Sequence, residues 1–337
     1  ETRNVTENAG LLDMSAFAKC RIEGPGAEAF LDHLMANKLP RKVGRMVLAH
    51  ALAPRGGGHS EFGRMRESDE SFYLVSAGAA QRLDHDWLKQ HMPNDRSVSF
   101  TDLTNAMGVL VLAGPKSRDI LSQLTLSDLS NDAFPWLSVQ TIDVGLAPCI
   151  AARVNFVGEL GWELHHPIEY QNHIFDELFR VGKAFGLKPF GIRAMDSMRL
   201  EKSYRLVGTE MSIEYAALES GLDRFVQLQK PDFIGRDGLL SWQEHGFENS
   251  FATLRVDNTT DADAIGGNPI YLNGELVGRA TSGGYGFRVG ASLALAMIQP
   301  AHADVGTNLE IDILGTRYPA EVIDESPFDP HNEKLRS

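Results

Sequence analysis

Two glycine-punctuated turns place carboxylates where a plain fold has no need of them. The first is Ala53-Pro54-Arg55-Gly56-Gly57-Gly58-His59-Ser60-Glu61-Phe62. Three glycines permit a sharp reversal and close backbone approach. Glu61 then enters a run of alternating residues, flanked by Arg55, Arg64 and Arg66. A carboxylate on a strand leaving such a turn can be aimed at a ligand; the competing explanation is a hairpin with a solvated Glu, the usual state of that residue. The second stretch runs from Arg153 to Leu164, where Glu159 and Glu163 bracket two glycines and Trp162, with Phe156 just before. A carboxylate that accepts two parallel N–H bonds recognises a planar donor pair, either an Arg guanidinium or the amino edge of a pterin. Phe156 offers a stacking face. The competing explanation pairs Glu163 with an arginine such as Arg199.

Other chemistries lack their residues. No G-x-G-x-x-G follows a strand, so the fingerprint for a dinucleotide pyrophosphate is missing, and no P-loop, H-E-x-x-H, C-x-x-C or G-x-S-x-G occurs. His165-His166 lies in a strand-like run, where successive side chains face opposite sides and cannot share a metal. Cys20 and Cys149 cannot build a disulfide framework or a four-thiolate site, and each reads as a buried small hydrophobe. No metal site is expected.

The elements that must position these residues follow from texture. Helical spacing marks Ala27–Asn37, Ala79–His91 (with Leu83, Trp87 and Leu88 on one face), Ile168–Phe185 and Ala194–Tyr204. Ser71–Ala77 and Met107–Ala113 read as strands, the latter closed by Gly114-Pro115 and followed by a short helix to Leu124; Thr141–Phe156 carries strand signals broken at Gly145 and Pro148. From Phe251 onward, short apolar runs separated by Gly, Asn and Asp predict the strands of a small barrel or sandwich: Phe251–Val256, Pro269–Leu272, Leu276–Ala280, Ser292–Ile298, Leu309–Ile313 and Ala320–Ile323. The boundary falls within Gly238–Ser250, giving a region over 1–240 and a second over 250–330. Tyr285, in a glycine-rich turn, either closes a channel mouth or packs in the barrel.

Among 337 residues, 45 acidic against 32 basic give a net charge of −13, which disfavours a phosphate backbone or an anionic bilayer as partner. No apolar run reaches the ~18 residues that a membrane span needs. The expected compartment is reducing, cytoplasmic or the mitochondrial matrix. The chain opens on Glu1-Thr2-Arg3-Asn4-Val5, without Met and as if within a helix, so it is expected to be part of something longer.

Taken together, these segments resemble the glycine-cleavage T-protein (aminomethyltransferase) family, with the nearest likeness to the C-terminal folate-binding half of FAD-dependent dimethylglycine and sarcosine dehydrogenases. The likeness rests on Gly10-Leu11-Leu12-Asp13-Met14-Ser15, Leu34-Met35-Ala36-Asn37, Leu112-Ala113-Gly114-Pro115-Lys116-Ser117-Arg118 and Gly158-Glu159-Leu160-Gly161-Trp162-Glu163. It continues through Met198-Arg199-Leu200-Glu201-Lys202, Glu219-Ser220-Gly221-Leu222, Phe233-Ile234-Gly235 and Thr281-Ser282-Gly283-Gly284-Tyr285, in order over nearly the whole chain.

The resemblance implies an α+β fold in three parts, a cloverleaf around a central folate channel, with two intertwined subdomains and a C-terminal β-barrel. It implies tetrahydrofolate as one-carbon acceptor and FAD only on a linked or partner amine dehydrogenase domain. Glu61 matches the acid beside the folate nitrogens that take the carbon, and Glu163 the second acid of the run, which holds the pterin edge. Glu159, Phe156, Arg55 and Tyr285 complete the expected cofactor-binding set. Two positions depart from the family: Phe156 stands where Tyr is common, and Met195 where the T-protein has Arg. Glu61, where the T-protein carries Asp, is more like the animal dehydrogenases. The expected reaction transfers the methylene of an N-methyl amine iminium, giving methylenetetrahydrofolate. Arg55, Arg64 and Arg66 are the candidate cations for the folate tail. Competing readings are a T-protein-like aminomethyltransferase, a stand-alone folate-dependent demethylase and a non-enzymatic folate-binding protein. The last has a cysteine motif in its cluster-assembly branch, and the run Lys230–Asp237 contains no cysteine.

Overall fold

The computed structural model describes all 337 residues. They divide into two compact units, one of Glu1–Ala49, Glu61–Ala194 and Asn332–Ser337, the other of His50–Ser60 and Met195–His331. The chain runs α1 (Thr2–Glu7), β1 (Ala9–Asp13), β2 (Ala18–Glu23), α2 (Ala27–Leu34), β3 (Met46–Leu52), β4 (Gly58–Arg66), β5 (Ser71–Ser76), α3 (Gln81–Gln90) and β6 (Ser99–Asp102). It continues with β7 (Met107–Ala113), α4 (Ser117–Leu121), β8 (Val139–Val144), β9 (Ala147–Ala152), β10 (Gly161–Pro167), α5 (Gln171–Gly182), β11 (Leu187–Pro189) and α6 (Ile192–Leu200). Last come α7 (Arg236–His245), β12 (Ser250–Val256), β13 (Pro269–Leu272), β14 (Glu275–Gly286), β15 (Ala291–Ile298), β16 (Asn308–Ile313), β17 (Thr316–Ile323) and α8 (Glu333–Arg336).

In the first unit the unbroken apolar run of β7 lies inside a six-stranded sheet of order β11-β1-β7-β10-β9-β8, which explains why it does not alternate. One face of that sheet packs Leu110, Leu112, Trp162 and Leu164 against Ile174 and Leu178 of α5. A second sheet has order β3-β4-β5-β2-β6. On β4, Met65 pairs with Tyr73 and Arg64 with Leu74, so successive residues serve opposite faces. Met65, Tyr73 and Val75 pack with Met46 and with Ala152 of β9 in one apolar layer, which joins the inner faces of the two sheets.

The second unit contains a closed six-stranded barrel, β12-β15-β14-β13-β16-β17. Its interior is made of small and branched residues, among them Ala252, Leu254, Ala294, Ala296, Ile311 and Val322. The register of β14 slips between Ala280 and Ser282. The slip turns the adjacent hydroxyls of Thr281 and Ser282 onto one carboxylate, Glu210, at 2.6 and 2.5 Å. The glycine turn belongs to this unit: Gly57 pairs with Ala216, and a Cβ on Gly57 would stand 2.6 Å from the Ile213 carbonyl oxygen. No helix is long and apolar enough to cross a membrane.

Several expected boundaries shift for visible reasons. The helix expected over Ala194–Tyr204 ends at Leu200, because Ser203 takes a left-handed φ of 52°. Pro148 does not break a strand but lies within β9 opposite Asp143, where β8 is the sheet edge. The helix after Pro115 stops at Leu121, and Leu83 points outward from α3 at 54% exposure. Tyr285 is 41% exposed, edge-to-face with Phe287, and is not packed inside the barrel.

Candidate functional site

Strand alternation decides which acids look inward. Glu61, half-buried, shares its face of β4 with Gly63 and Met65, the face that meets the six-stranded sheet. Glu61 and Met65 are four residue steps apart, a run of about 13 Å along a strand. On β10, Glu163 pairs with Ala152 and Val111, and His165 with Ile150 and Val109. Ala152 and Ile150 belong to the inner layer, so Glu163 and His165 look inward, while Trp162 and Leu164 face the opposite core.

The inner layer carries a short polar chain. The Tyr73 hydroxyl lies 3.3 Å from His165 Nδ1, and His165 Nε2 lies 3.3 Å from Glu163 Oε2. The two rings meet edge-on, their centroids 5.4 Å apart. Tyr73 and His165 are fully buried, and burial drives the tyrosine's pKa upward. Glu163 retains 15% side-chain exposure, and its Oε1 makes no hydrogen bond. His166 turns the other way, to the Leu164 carbonyl and Gln171, so the two histidines share no site, as the strand reading expects. No group of three or more His, Cys, Asp or Glu side chains is placed to hold a metal.

The turn leading into β10 is fixed by one side chain. Asn155 Oδ1 accepts from the backbone N–H groups of Val157 and Gly158 at 3.0 and 3.1 Å, and its Nδ2 donates to the Glu159 carbonyl at 2.8 Å. Gly158 turns the chain at a φ of 75°. A Cβ at Gly161 would meet the Leu112 carbonyl oxygen at 2.5 Å, so only glycine lets β10 approach β7 here. Phe156 is half-buried and Glu159 almost wholly buried on this turn.

The three candidate arginines are not gathered at one place. Arg64 and Arg66 lie on the β4 face opposite Glu61, both over the ring of Phe72, at 4.1 and 5.3 Å. Arg66 is held by Glu28, Asp69 and the Pro40 carbonyl. Arg55 is exposed on the glycine turn of the second unit, its carbonyl accepting from Trp242 Nε1. Arg199 pairs with Asp196 at 2.7 Å and Glu210 at 3.4 Å, and Glu163 has His165 as its partner, in place of the arginine that the competing explanation offered. Cys20 and Cys149 are buried thiols, as their surroundings in the sequence suggest.

A carboxylate in a dry layer, with one oxygen fixed and one open, suits a planar N–H donor edge. The chain matches the GCVT N-terminal domain over residues 1–230 and the glycine cleavage T-protein C-terminal barrel domain over 250–329. It belongs to the glycine-cleavage T-protein family. This family member is 36% identical over 327 residues to the mitochondrial dimethylglycine dehydrogenase of Mus musculus, covering 96% of this chain and 37% of that protein. It is 30% identical over 336 residues to the aminomethyltransferase of Thermoanaerobacter sp. (strain X514), covering 99% of this chain and 90% of that one. The crystal structure of glycine cleavage system aminomethyltransferase T from Bartonella henselae superposes with a TM-score of 0.87 at 21% identity, over 98% of this chain and 89% of that chain. The T-protein family member thus has the aminomethyltransferase fold, α+β with a C-terminal barrel. It spans just over a third of the length of the dimethylglycine dehydrogenase it matches.

Residue pattern alone does not mark Tyr73, His165 or Asn155 as parts of one site. His165 was within reach, since period two puts it on the face of Glu163; its link to Tyr73 joins residues 92 positions apart.

Proposed function

We propose that this chain is the one-carbon-transfer unit of an N-methyl amine demethylation. It takes the methylene of a dimethylglycine- or sarcosine-type iminium, made by a linked or partner FAD-dependent dehydrogenase domain, to tetrahydrofolate. The products are 5,10-methylenetetrahydrofolate and the demethylated amine. The observation that carries this reading is the inward carboxylate of Glu163, with Oε2 held by His165 and Oε1 open, on a layer that also bears Glu61. When bound, tetrahydrofolate supplies the amine nitrogens that accept the carbon.

Each residue then has one task. Glu163 accepts N–H from the amino edge of the heterocycle, a charge-assisted bond of the strong kind. Phe156 offers its face for stacking without the hydroxyl bond that a Tyr would add. Glu61 orients the reacting amine and accepts or returns its proton, work that suits a half-buried carboxylate. The apolar layer of Met46, Met65, Tyr73, Val75 and Ala152 keeps water from an electrophile that would otherwise hydrolyse to formaldehyde. Thus Glu61→Gln, assayed with tetrahydrofolate and a flavoprotein that generates the iminium, should retain folate binding while product shifts from methylenetetrahydrofolate to formaldehyde. An unchanged partition would remove Glu61 from the chemistry.

A further inference from the structure

The Tyr73–His165–Glu163 chain has a direction, because one tautomer of the ring satisfies both of its hydrogen bonds. Glu163 Oε2 is an acceptor, so His165 Nε2 must present N–H; a bare ring lone pair there would face carboxylate charge. With the proton on Nε2, Nδ1 of a neutral ring is an acceptor, and the Tyr73 O–H donates to it. The reverse tautomer would leave His165 Nε2 and Glu163 opposed. Tyr73 is held protonated by burial, which keeps it in the donating role. Packing fixes both rings: each is fully buried, they meet at an interplanar angle of 88°, and Met46, Met65, Val75 and Ala152 surround the tyrosine.

We infer that His165 is a positioning residue for Glu163, with its tautomer set by the carboxylate and matched by the Tyr73 hydroxyl. Its bond to Oε2 fixes the rotation of the carboxylate and leaves Oε1 as the oxygen that meets a ligand's N–H group. This inference rests on the assignment of Glu163 to the amino edge of tetrahydrofolate. His165 touches neither cofactor nor reacting atoms in this scheme and acts only through Glu163. The binding energy it commands is that of one charge-assisted hydrogen bond at a partly buried carboxylate, enough for about a tenfold change in affinity.

The test uses the whole chain and two readouts. Long-range proton–nitrogen NMR of the unliganded protein reads the ring directly: wild type should show His165 protonated on Nε2, and Glu163→Gln, which no longer presents a carboxylate to that nitrogen, should give a mixture of tautomers. Calorimetric titration with tetrahydrofolate then compares variants whose thermal midpoints certify folding. His165→Leu should weaken binding about tenfold, and His165→Gln, whose side-chain amide can still donate to Oε2, should recover most of that loss. Tyr73→Phe should fall between wild type and His165→Leu. A wild-type ring protonated on Nδ1, or folded His165→Leu that binds as wild type does, overturns the relay. Equal loss in His165→Leu and His165→Gln overturns it as well, because the donor would then be irrelevant. If wild type gives the expected ring signals but takes up no tetrahydrofolate, the folate assignment fails and the positioning role toward it falls too, while the tautomer assignment survives.

Discussion

Glu61 and Arg64 stand three residues apart on one strand and face opposite sides of its sheet: Glu61 looks into the layer shared with the six-stranded sheet, and Arg64 lies over Phe72 on the other side. The arginine is fully buried, and none of its three guanidinium nitrogens makes a hydrogen bond. Burial, then the neighbouring charge of Arg66, pushes it down to about 10. It is therefore a cost to the fold and has no route to a ligand held by Glu61.

Replacing that cost should help. Arg64→Met keeps the volume over Phe72 and removes a charge that is desolvated without compensation, a change that stabilises on the order of 1–3 kcal/mol. The thermal midpoint should rise by roughly 2–6 °C, with tetrahydrofolate affinity unchanged. A lower midpoint would show that the guanidinium has a partner in solution.

The reverse holds for Glu210. Burial alone would raise its carboxyl pKa, but Arg199, the hydroxyls of Ser282 and Thr281 and the Leu206 N–H outweigh it and hold the group below its ordinary value. A carboxyl depressed in the folded state contributes fully above its unfolded value, near 4.5, and loses that contribution as pH falls through the folded value. Urea midpoints of wild type should decline below about pH 4.5, and Glu210→Gln should flatten that decline while costing about 3 kcal/mol at pH 7. Parallel pH profiles in the two proteins would refute the assignment.

Gly161→Ala should separate β10 from β7, since the new Cβ would meet a backbone oxygen at 2.5 Å and Ala113 Cα at 2.9 Å, neither of which can give cheaply. Loss of about 2 kcal/mol by chemical denaturation is expected, with tetrahydrofolate binding weakened because Glu163 is two residues on. A neutral substitution would mean that the strand pair is looser than its register indicates.

Both thiols should be silent. Burial pushes Cys20 and Cys149 up to about 12, so at pH 8 neither has an appreciable thiolate fraction. Ellman's reagent should react with neither in the native protein and with both in guanidinium; native reactivity would require an opening of the sheets.

Much of this was legible from residue types alone. The barrel strands follow from glycine-spaced apolar runs, and the inward turn of Glu61 and Glu163 is a matter of counting by two. The same count separates Arg64 and Arg66 from Glu61, so their proximity in sequence never meant proximity to one ligand. What resisted reading depends on distant pairing. Arg199 finds Glu210 only because a loop returns eleven residues later, and the hydroxyls that complete that site come from a register slip in β14. Short-range pattern holds no trace of either. Motifs that carried the family likeness prove to be scaffold in several places. Glu219 accepts from three backbone N–H groups, those of Ala216, Glu248 and Asn249, and thereby ties a loop to the start of the barrel.

In the proposed function Glu163 holds the amino edge of tetrahydrofolate in the inner layer of the first unit. Calorimetric titration of tetrahydrofolate into the wild-type chain and into Glu163→Gln tests it most directly. Wild type should bind one equivalent, and the variant, folded by its thermal midpoint, should bind at least about tenfold more weakly, the loss of a charge-assisted bond. No uptake by wild type, or equal affinity in the two proteins, would contradict it.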